Sequence, residues 1–355
     1  MKRMSIKLAI NGFGRIGRLA FRRAYQMNEE EGKKVFDIVA INDLVDAKTL
    51  AYLLKYDTTH GTWAGHEIGS EGNDIVVDGV HIPVLGKADP HDLHWKDYGV
   101  DVVLECTGRL KSHEDGDVHM ENGAKGVIIS APSSSKDIPT YVYGVNTDKL
   151  TKDQTIISGA SCTTNCLSPM MKVLNDKFGV IGGTMTTVHA YTNDQRILDL
   201  AGKNIRRSRA GAANIVPTTT GAAKAVGKVI PELNGKLNGN AIRVPVVDGS
   251  ICDCTLLLKK PATAEEINAA MKEASEGELK GVLGYNEDEI VSSDILGRTE
   301  GSIFDATLTM IIPADEYNFV KVASWYDNEY SFTCQMMRLA KLYGEILTKS
   351  LNKVL

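Results

Sequence analysis

Gly12-Phe13-Gly14-Arg15-Ile16-Gly17 follows directly on an apolar run, Ile6, Leu8, Ala9 and Ile10, and opens a stretch of helical periodicity that leads to FDIVAIND, residues 36–43. Strand, glycine turn, helix and strand in that order make one βαβ unit. The G-x-G-x-x-G spacing has a physical use there. Gly12 permits the tight turn, Gly14 lets the backbone approach a pyrophosphate, and Gly17 lets the helix lie close on the strand, while the helix N-terminus offers unpaired N–H groups to the anion. Asp43, at the end of the second strand, is an acceptor suited to a ribose 2′-hydroxyl and a poor neighbour for a 2′-phosphate. Without a ligand, the same segment is a glycine-rich structural turn beside a solvated Asp.

Working outward, short apolar runs recur at 100–105, 127–130, 141–145 and 155–158, bounded by Gly, Pro, Asp or Asn. Continuous apolarity over so few residues predicts strands buried on both faces, as in a parallel sheet. Residues 1–161 therefore read as an α/β Rossmann domain, doubly wound around a mainly parallel sheet. From Cys162 the texture changes to a helical segment ending near Phe178 and long strand-like runs at 180–190, 241–259, 302–312 and 318–326. Thr263 and Glu266 form a T-x-x-E capping box ahead of a helix. Residues 162–328 thus read as an α+β domain with a largely antiparallel sheet covered on one face. Phe332, Met336, Leu339, Tyr343 and Ile346 give the last segment, 329–355, an amphipathic helical stripe, expected to pack back on the first domain.

The chain's 355 residues are ample for two domains, and 40 Lys and Arg against 45 Asp and Glu give a formal net charge of −5. That balance offers no general attraction for nucleic acid or acidic membrane. At 43% hydrophobic and 24% charged, the composition is that of a soluble globular protein. Six cysteines are too sparse for a disulfide framework and none forms C-x-x-C, so reduced thiols in a cytoplasm are expected. The apolar run after Met1-Lys2-Arg3 is too short for a signal peptide, and none approaches the ~18 residues of a membrane span.

Two residues carry a chemical expectation. Cys162, in Ser161-Cys162-Thr163-Thr164-Asn165, stands where a strand gives way to a helix. A helix N-terminus favours thiolate over thiol, so a lowered pKa and a nucleophilic role are expected, against the plainer reading of a small buried apolar residue. Cys166, one turn on, reads as core. Among eight histidines, His189 alone ends a hydroxyl-rich strand, TMTTVHAYT, and is the best partner for the thiol. His91 and His94 have H-x-x-H spacing, but a solvated loop is the better reading, and no metal site is expected.

The strings NGFGRIGR, AIND, ASCTTNCL, VHAYTNDQ, IVPTTTGAAKAVGKVIPELNGKL, IRVP and SWYDNEY stand, in that order, as they do in phosphorylating glyceraldehyde-3-phosphate dehydrogenases, which the chain resembles over nearly its whole length. The resemblance implies an NAD-dependent enzyme of glycolysis and gluconeogenesis. It would convert glyceraldehyde 3-phosphate and inorganic phosphate to 1,3-bisphosphoglycerate as a cytoplasmic homotetramer. By position, Cys162 is implied as nucleophile and His189 as its base. Arg15 and Ile16 match residues at the pyrophosphate, Asp43 the adenosine-ribose ligand, Ser130 a further cofactor contact, and Asn328 the residue at the nicotinamide carboxamide. Thr192 and Arg243 resemble ligands of the substrate phosphate, and Ser161, Thr163, Arg206, Thr220 and Gly221 resemble those of the attacking phosphate. Departures fall at Leu200-Ala201, where Leu-Pro is usual, at Ala88 beside Lys87, at Phe332 and at Gln335; the first two bear on cofactor preference. The alternatives are an erythrose-4-phosphate or other semialdehyde dehydrogenase, and a secondary role binding RNA or a partner in the nucleotide cleft.

Overall fold

The computed structural model describes residues 5–314 and 317–349. Two compact units divide the chain: one comprises residues 1–141, 149–160 and 336–355, the other residues 142–148 and 161–335.

The first unit begins with β1 (Ile6–Asn11), α1 (Arg15–Glu30), β2 (Phe36–Asn42) and α2 (Ala47–Lys55). A small antiparallel sheet of β3 (Ile68–Glu71), β4 (Asp74–Val77) and β5 (Val80–Pro83) follows, which periodicity did not reveal. Then come β6 (Val102–Glu105), α3 (His113–Glu121), β7 (Gly126–Ile129) and β8 (Ile156–Ser158). The main sheet runs β2-β1-β6-β7-β8 and every pairing in it is parallel. Strand order reverses at β1, the arrangement that leaves a crevice at the carboxyl ends of the strands. Ala9, Ala40, Val103, Val127 and Trp95 build one of its cores. The glycine turn is sterically obligatory: Gly12 has φ +92°, and a Cβ there would lie 2.6 Å from the Thr107 nitrogen. At Gly17 a Cβ would lie 2.2 Å from the Gly12 carbonyl oxygen, so α1 can approach β1 only without one.

The second unit opens with α4 (Cys162–Phe178) and continues through β9 (Val180–Ala190), β10 (Val216–Thr219), α5 (Ala222–Val229), β11 (Leu237–Val244) and β12 (Ser250–Leu258). It ends with α6 (Ala264–Glu276), β13 (Leu283–Asn286), β14 (Ser302–Asp305), β15 (Met310–Ala314), β16 (Tyr317–Tyr326) and the start of α7 (Tyr330–Lys349). The sheet order is β10-β11-β9-β12-β16-β14-β13, with β15 on β16. Antiparallel pairs dominate, but β11 runs parallel to β9 and β13 to β14. Along β12, Cys252, Cys254, Leu256 and Leu258 are buried and alternate with more accessible residues, the period of a sheet covered on one face.

Three details differ from the sequence reading. Residues 141–145 form a turn rather than a strand: Gly144 has φ +76°, and the Asn146 side chain accepts the Val142 N–H at 2.9 Å. The long run 241–259 is two strands broken around Gly249, at φ +90°. The last helix is divided between the units, with residues from Met336 onward in the first.

Candidate active site

The turn before α4 places Cys162. Ala160 takes a left-handed φ of +64°, uncommon for a residue with a Cβ, and Ser161 then caps the helix, its Oγ accepting the Thr164 N–H at 3.1 Å. Cys162 is the first residue of the helix. From the next residue, Thr163 Oγ1 meets the buried Tyr326 hydroxyl at 2.9 Å, and that hydroxyl also meets Thr187 Oγ1 on β9 at 2.8 Å. One phenol thus ties the start of α4 to β9, the strand that carries His189.

Cys162 Sγ lies 3.5 Å from His189 Nε2. The other ring nitrogen, Nδ1, is 2.7 Å from the Ala190 carbonyl oxygen, which can only accept. Nδ1 also lies 3.0 Å from the Arg243 guanidinium, which can only donate, so two partners of opposite kind meet at that atom. With its hydrogen on Nδ1 toward Ala190, His189 turns the Nε2 lone pair toward the thiol, the tautomer a base requires. The expected lowering of the thiol pKa is not what the structure gives. Burial pushes the Cys162 thiol up to about 11, with the Arg243 charge acting the other way. Burial, followed by the same Arg243 charge, pushes His189 down to about 3. Loss of solvation outweighs the Arg243 charge and the Thr163 hydrogen bonds at the thiol, and the pair rests as neutral thiol and neutral imidazole.

Behind the imidazole lies an anion site. Arg243 on β11 is in register with His189 on β9, and its guanidinium donates to the Ala190 carbonyl and to Thr192 Oγ1, both at 2.9 Å. Its Nε is buried without a hydrogen-bond partner, capacity that suits an incoming acceptor. Thr192 and Arg207 both donate to Asp194. Burial raises the Asp194 pKa, but the Thr192 hydroxyl and the Arg207 and Arg243 charges leave it lowered overall. The sequence reading gave Arg206 to the attacking phosphate, whereas the side chain that reaches Asp194 is that of its neighbour Arg207. Arg206 is exposed and reaches only the Pro217 carbonyl, whereas Arg207 is half-buried and also donates to Thr218 Oγ1 at 3.0 Å and to the Thr219 carbonyl. Thr220 and Gly221 stand at the start of α5, where a Cβ on Gly221 would meet nothing within 4 Å. Asn328 is buried and accepts the Ser250 hydroxyl at 2.6 Å.

In the first unit, a cavity of about 410 Å³ opens at the carboxyl ends of β1, β2 and β6, lined among others by Asn11, Gly12, Gly14, Asn42, Asp43 and Thr107. A Cβ on Gly14 would project into open space there, so the main chain is bare where a phosphate has to approach. Asp43 accepts the Phe13 N–H at 2.8 Å and the Val45 N–H at 3.1 Å, leaving each oxygen room for a second donor. Arg15 is paired with Asp57, whose carboxyl, despite burial, is held at about 2 by hydrogen bonds from Arg15 and the backbone. Ile16 sits half-buried in the first turn of α1. Ser130, just past β7, donates its N–H to the Glu105 carbonyl at 3.0 Å. The residues fit a dinucleotide with a free 2′-hydroxyl.

Comparison with known proteins agrees with both halves. A model described as the NAD binding domain of glyceraldehyde 3-phosphate dehydrogenase matches residues 6–113, and one described as its C-terminal domain matches residues 161–328. Similar relatives include glyceraldehyde-3-phosphate dehydrogenase 1 of Bacillus cereus, 54% identical over 94% of this chain and 97% of the relative. The glyceraldehyde-3-phosphate dehydrogenase of Thermotoga maritima is 54% identical over 95% of this chain and 98% of its own length. The chain belongs to the glyceraldehyde-3-phosphate dehydrogenase family. Within that family's C-terminal domain, sequence reasoning missed Asp194, Arg207 and Tyr326. Asp194 lies inside the quoted VHAYTNDQ string and Tyr326 inside SWYDNEY, but the partners of Tyr326 are 163 and 139 residues away, which no local pattern reveals.

Proposed function

We propose that the chain oxidises D-glyceraldehyde 3-phosphate to 1,3-bisphosphoglycerate with inorganic phosphate and NAD, in glycolysis and gluconeogenesis. Residues 1–161 with the C-terminal helix serve cofactor binding, and residues 162–328 serve catalysis. The observation that carries the reading is the Cys162–His189 pair at 3.5 Å, backed by Arg243 and Thr192. Gly12, Gly14, Arg15, Ile16, Gly17, Asp43 and Ser130 would hold NAD, and the resemblance assigns Asn328 to its carboxamide.

His189 Nε2 takes the thiol proton as Cys162 Sγ adds to the aldehyde carbon, and returns it to the carbonyl oxygen, giving a hemithioacetal on Cys162. NAD, when bound, supplies the acceptor for the hydride lost from that carbon. His189 takes the hydroxyl proton in the same oxidation, leaving a thioester on Cys162. Phosphate held by Ser161, Thr163, Arg207, Thr220 and Gly221 attacks the thioester carbon, and Cys162 leaves as thiolate and regains its proton from His189. Arg243 and Thr192 hold the substrate's own phosphate, whose charge offsets Arg243 and so relieves part of what depresses the imidazole. The same offset removes the charge that favours the Cys162 thiolate, so substrate binding raises the proton affinity of both members of the pair.

The six cysteines, free in the structure, support a reducing compartment such as the cytoplasm. Among the described residues, no helix is long and apolar enough to cross a membrane. The test is NADH formation from glyceraldehyde 3-phosphate. Turnover should require phosphate and vanish in Cys162→Ser while NAD binding persists. Turnover independent of phosphate would overturn the assignment.

A further inference from the structure

The ends of β2, β1 and β6 bring Asn42, Asn11 and Glu105 side by side in register. Their side chains form one chain of hydrogen bonds. Asn42 Nδ2 donates to Asn11 Oδ1 at 2.8 Å, and Asn11 Nδ2 donates to Glu105 Oε2 at 2.6 Å. At its outer end Asn42 exchanges two bonds with the Lys87 backbone, 2.8 and 3.0 Å. Glu105, 2% exposed, is a sink for donors: Oε1 accepts the Thr107 N–H at 2.8 Å and the Thr107 hydroxyl, and Oε2 also accepts His119 Nε2 at 3.1 Å. His119 is fully buried, and its Nδ1 receives the Trp95 indole N–H at 3.0 Å.

An indole N–H can only donate, so His119 Nδ1 must accept and the ring hydrogen must sit on Nε2, aimed at Glu105. Trp95, itself fully buried in the hydrophobic core, thus selects the one tautomer that pins the carboxylate. Every group on the other side of Glu105 is a wall of the cavity: Asn11, Thr107 and, through Asn42, Lys87.

We propose that His119 and Glu105 are positioning residues for the cofactor, fixing the floor of the dinucleotide cavity without touching the ligand. The inference rests on reading that cavity as the NAD site. Buried polar networks with every member satisfied hold one geometry, and loss of one member leaves the others free to rotate. His119→Asn is too short to reach Glu105, whereas His119→Gln restores a side-chain N–H donor at nearly the imidazole's reach. NAD affinity, measured by calorimetric titration of each purified variant below its melting temperature, should fall about tenfold in His119→Asn and return to within about threefold of wild type in His119→Gln. The Michaelis constant for NAD should follow the same order, with kcat at saturating NAD changed less than twofold. Equal NAD affinity in wild type and His119→Asn overturns the proposal, as does a fall in kcat with affinity unchanged. If His119→Asn does not fold, Trp95→Phe is read in its place, with about a threefold loss expected and no loss overturning the proposal. Asp43→Ala is the control on the underlying reading. Weakened binding there with none in the network variants defeats this inference alone, and unaltered binding in both defeats the cavity assignment.

Discussion

At the scale of single residues, His189 and Cys162 make opposite statements about stability and pH. His189 at about 3 lies below the ordinary 6.5, so the unfolded chain takes up a proton that the folded chain refuses, and stability is lost as pH falls from 6.5 toward 3. Cys162 at about 11 lies above the ordinary 9.0, so the unfolded chain releases a proton that the folded chain keeps, and stability is lost as pH rises from 9.0 toward 11. His189→Asn, which cannot titrate, should gain on wild type in urea unfolding as pH drops from 6.5 to 4.5. A gap between the two that does not change with pH would place the imidazole in solvent. The Arg243 charge also acts on both members of the pair. Alkylation of Cys162 at pH 7 should therefore respond to phosphate or sulfate in wild type and lose that response in Arg243→Gln, read by mass spectrometry of the alkylated peptide. The residue scale is also where sequence reading was least secure. Arg206 and Arg207 are adjacent in a short 3-10 turn, and only the fold decides which guanidinium reaches Asp194.

Among elements, the legible ones were those whose constraints are local. The glycine turn between β1 and α1 was readable because Gly12 and Gly17 sit where a Cβ would strike backbone within three ångströms. The start of α4 was readable because an apolar strand gives way there to a run of helical periodicity, and the structure adds the Ser161 hydroxyl cap. The turn at 141–145 was not, since its apolar residues look like strand while the Asn146 side chain claims the Val142 N–H that a strand would need. Nor was the clamp made by Tyr326 on β16, which joins α4 and β9 through two threonines. Tyr326→Phe leaves the Thr163 and Thr187 hydroxyls short of a buried partner, which costs about 1–3 kcal/mol. The expected outcome is a lower melting temperature and a several-fold drop in kcat, because the 3.5 Å Cys162–His189 approach is no longer tied down. Calorimetry should show NAD affinity unchanged. Full kcat in the folded variant would mean the clamp serves stability alone.

For the whole molecule, the surface of the second unit carries apolar residues that association of copies would cover. Ile197, Leu198, Leu200, Ile205 and Ile215 cluster in one stretch of sequence with exposures of 88, 76, 63, 86 and 70%. Single exposed apolar residues are ordinary, but five large ones within nineteen positions of a water-exposed loop segment are costly for a monomer. A second patch lies on β15 and the strand paired with it, β16, where Met310, Ile312 and Phe319 are 49, 62 and 43% exposed. Burial on a second copy would remove this area from water and contribute favourably at about 25 cal/mol per Å² before the cost of ordering the partners. Sedimentation velocity should find an assembly larger than one chain at micromolar concentration. A paired substitution, Ile197→Asp with Ile205→Asp, places two charges where the apolar surface was to be covered and should shift the distribution toward smaller species. Because neither residue is part of the Cys162–His189 pair, thiol alkylation should continue in the variant. A wild-type protein that sediments as a monomer at every concentration would leave the exposed loop without its partner and remove self-association from the account.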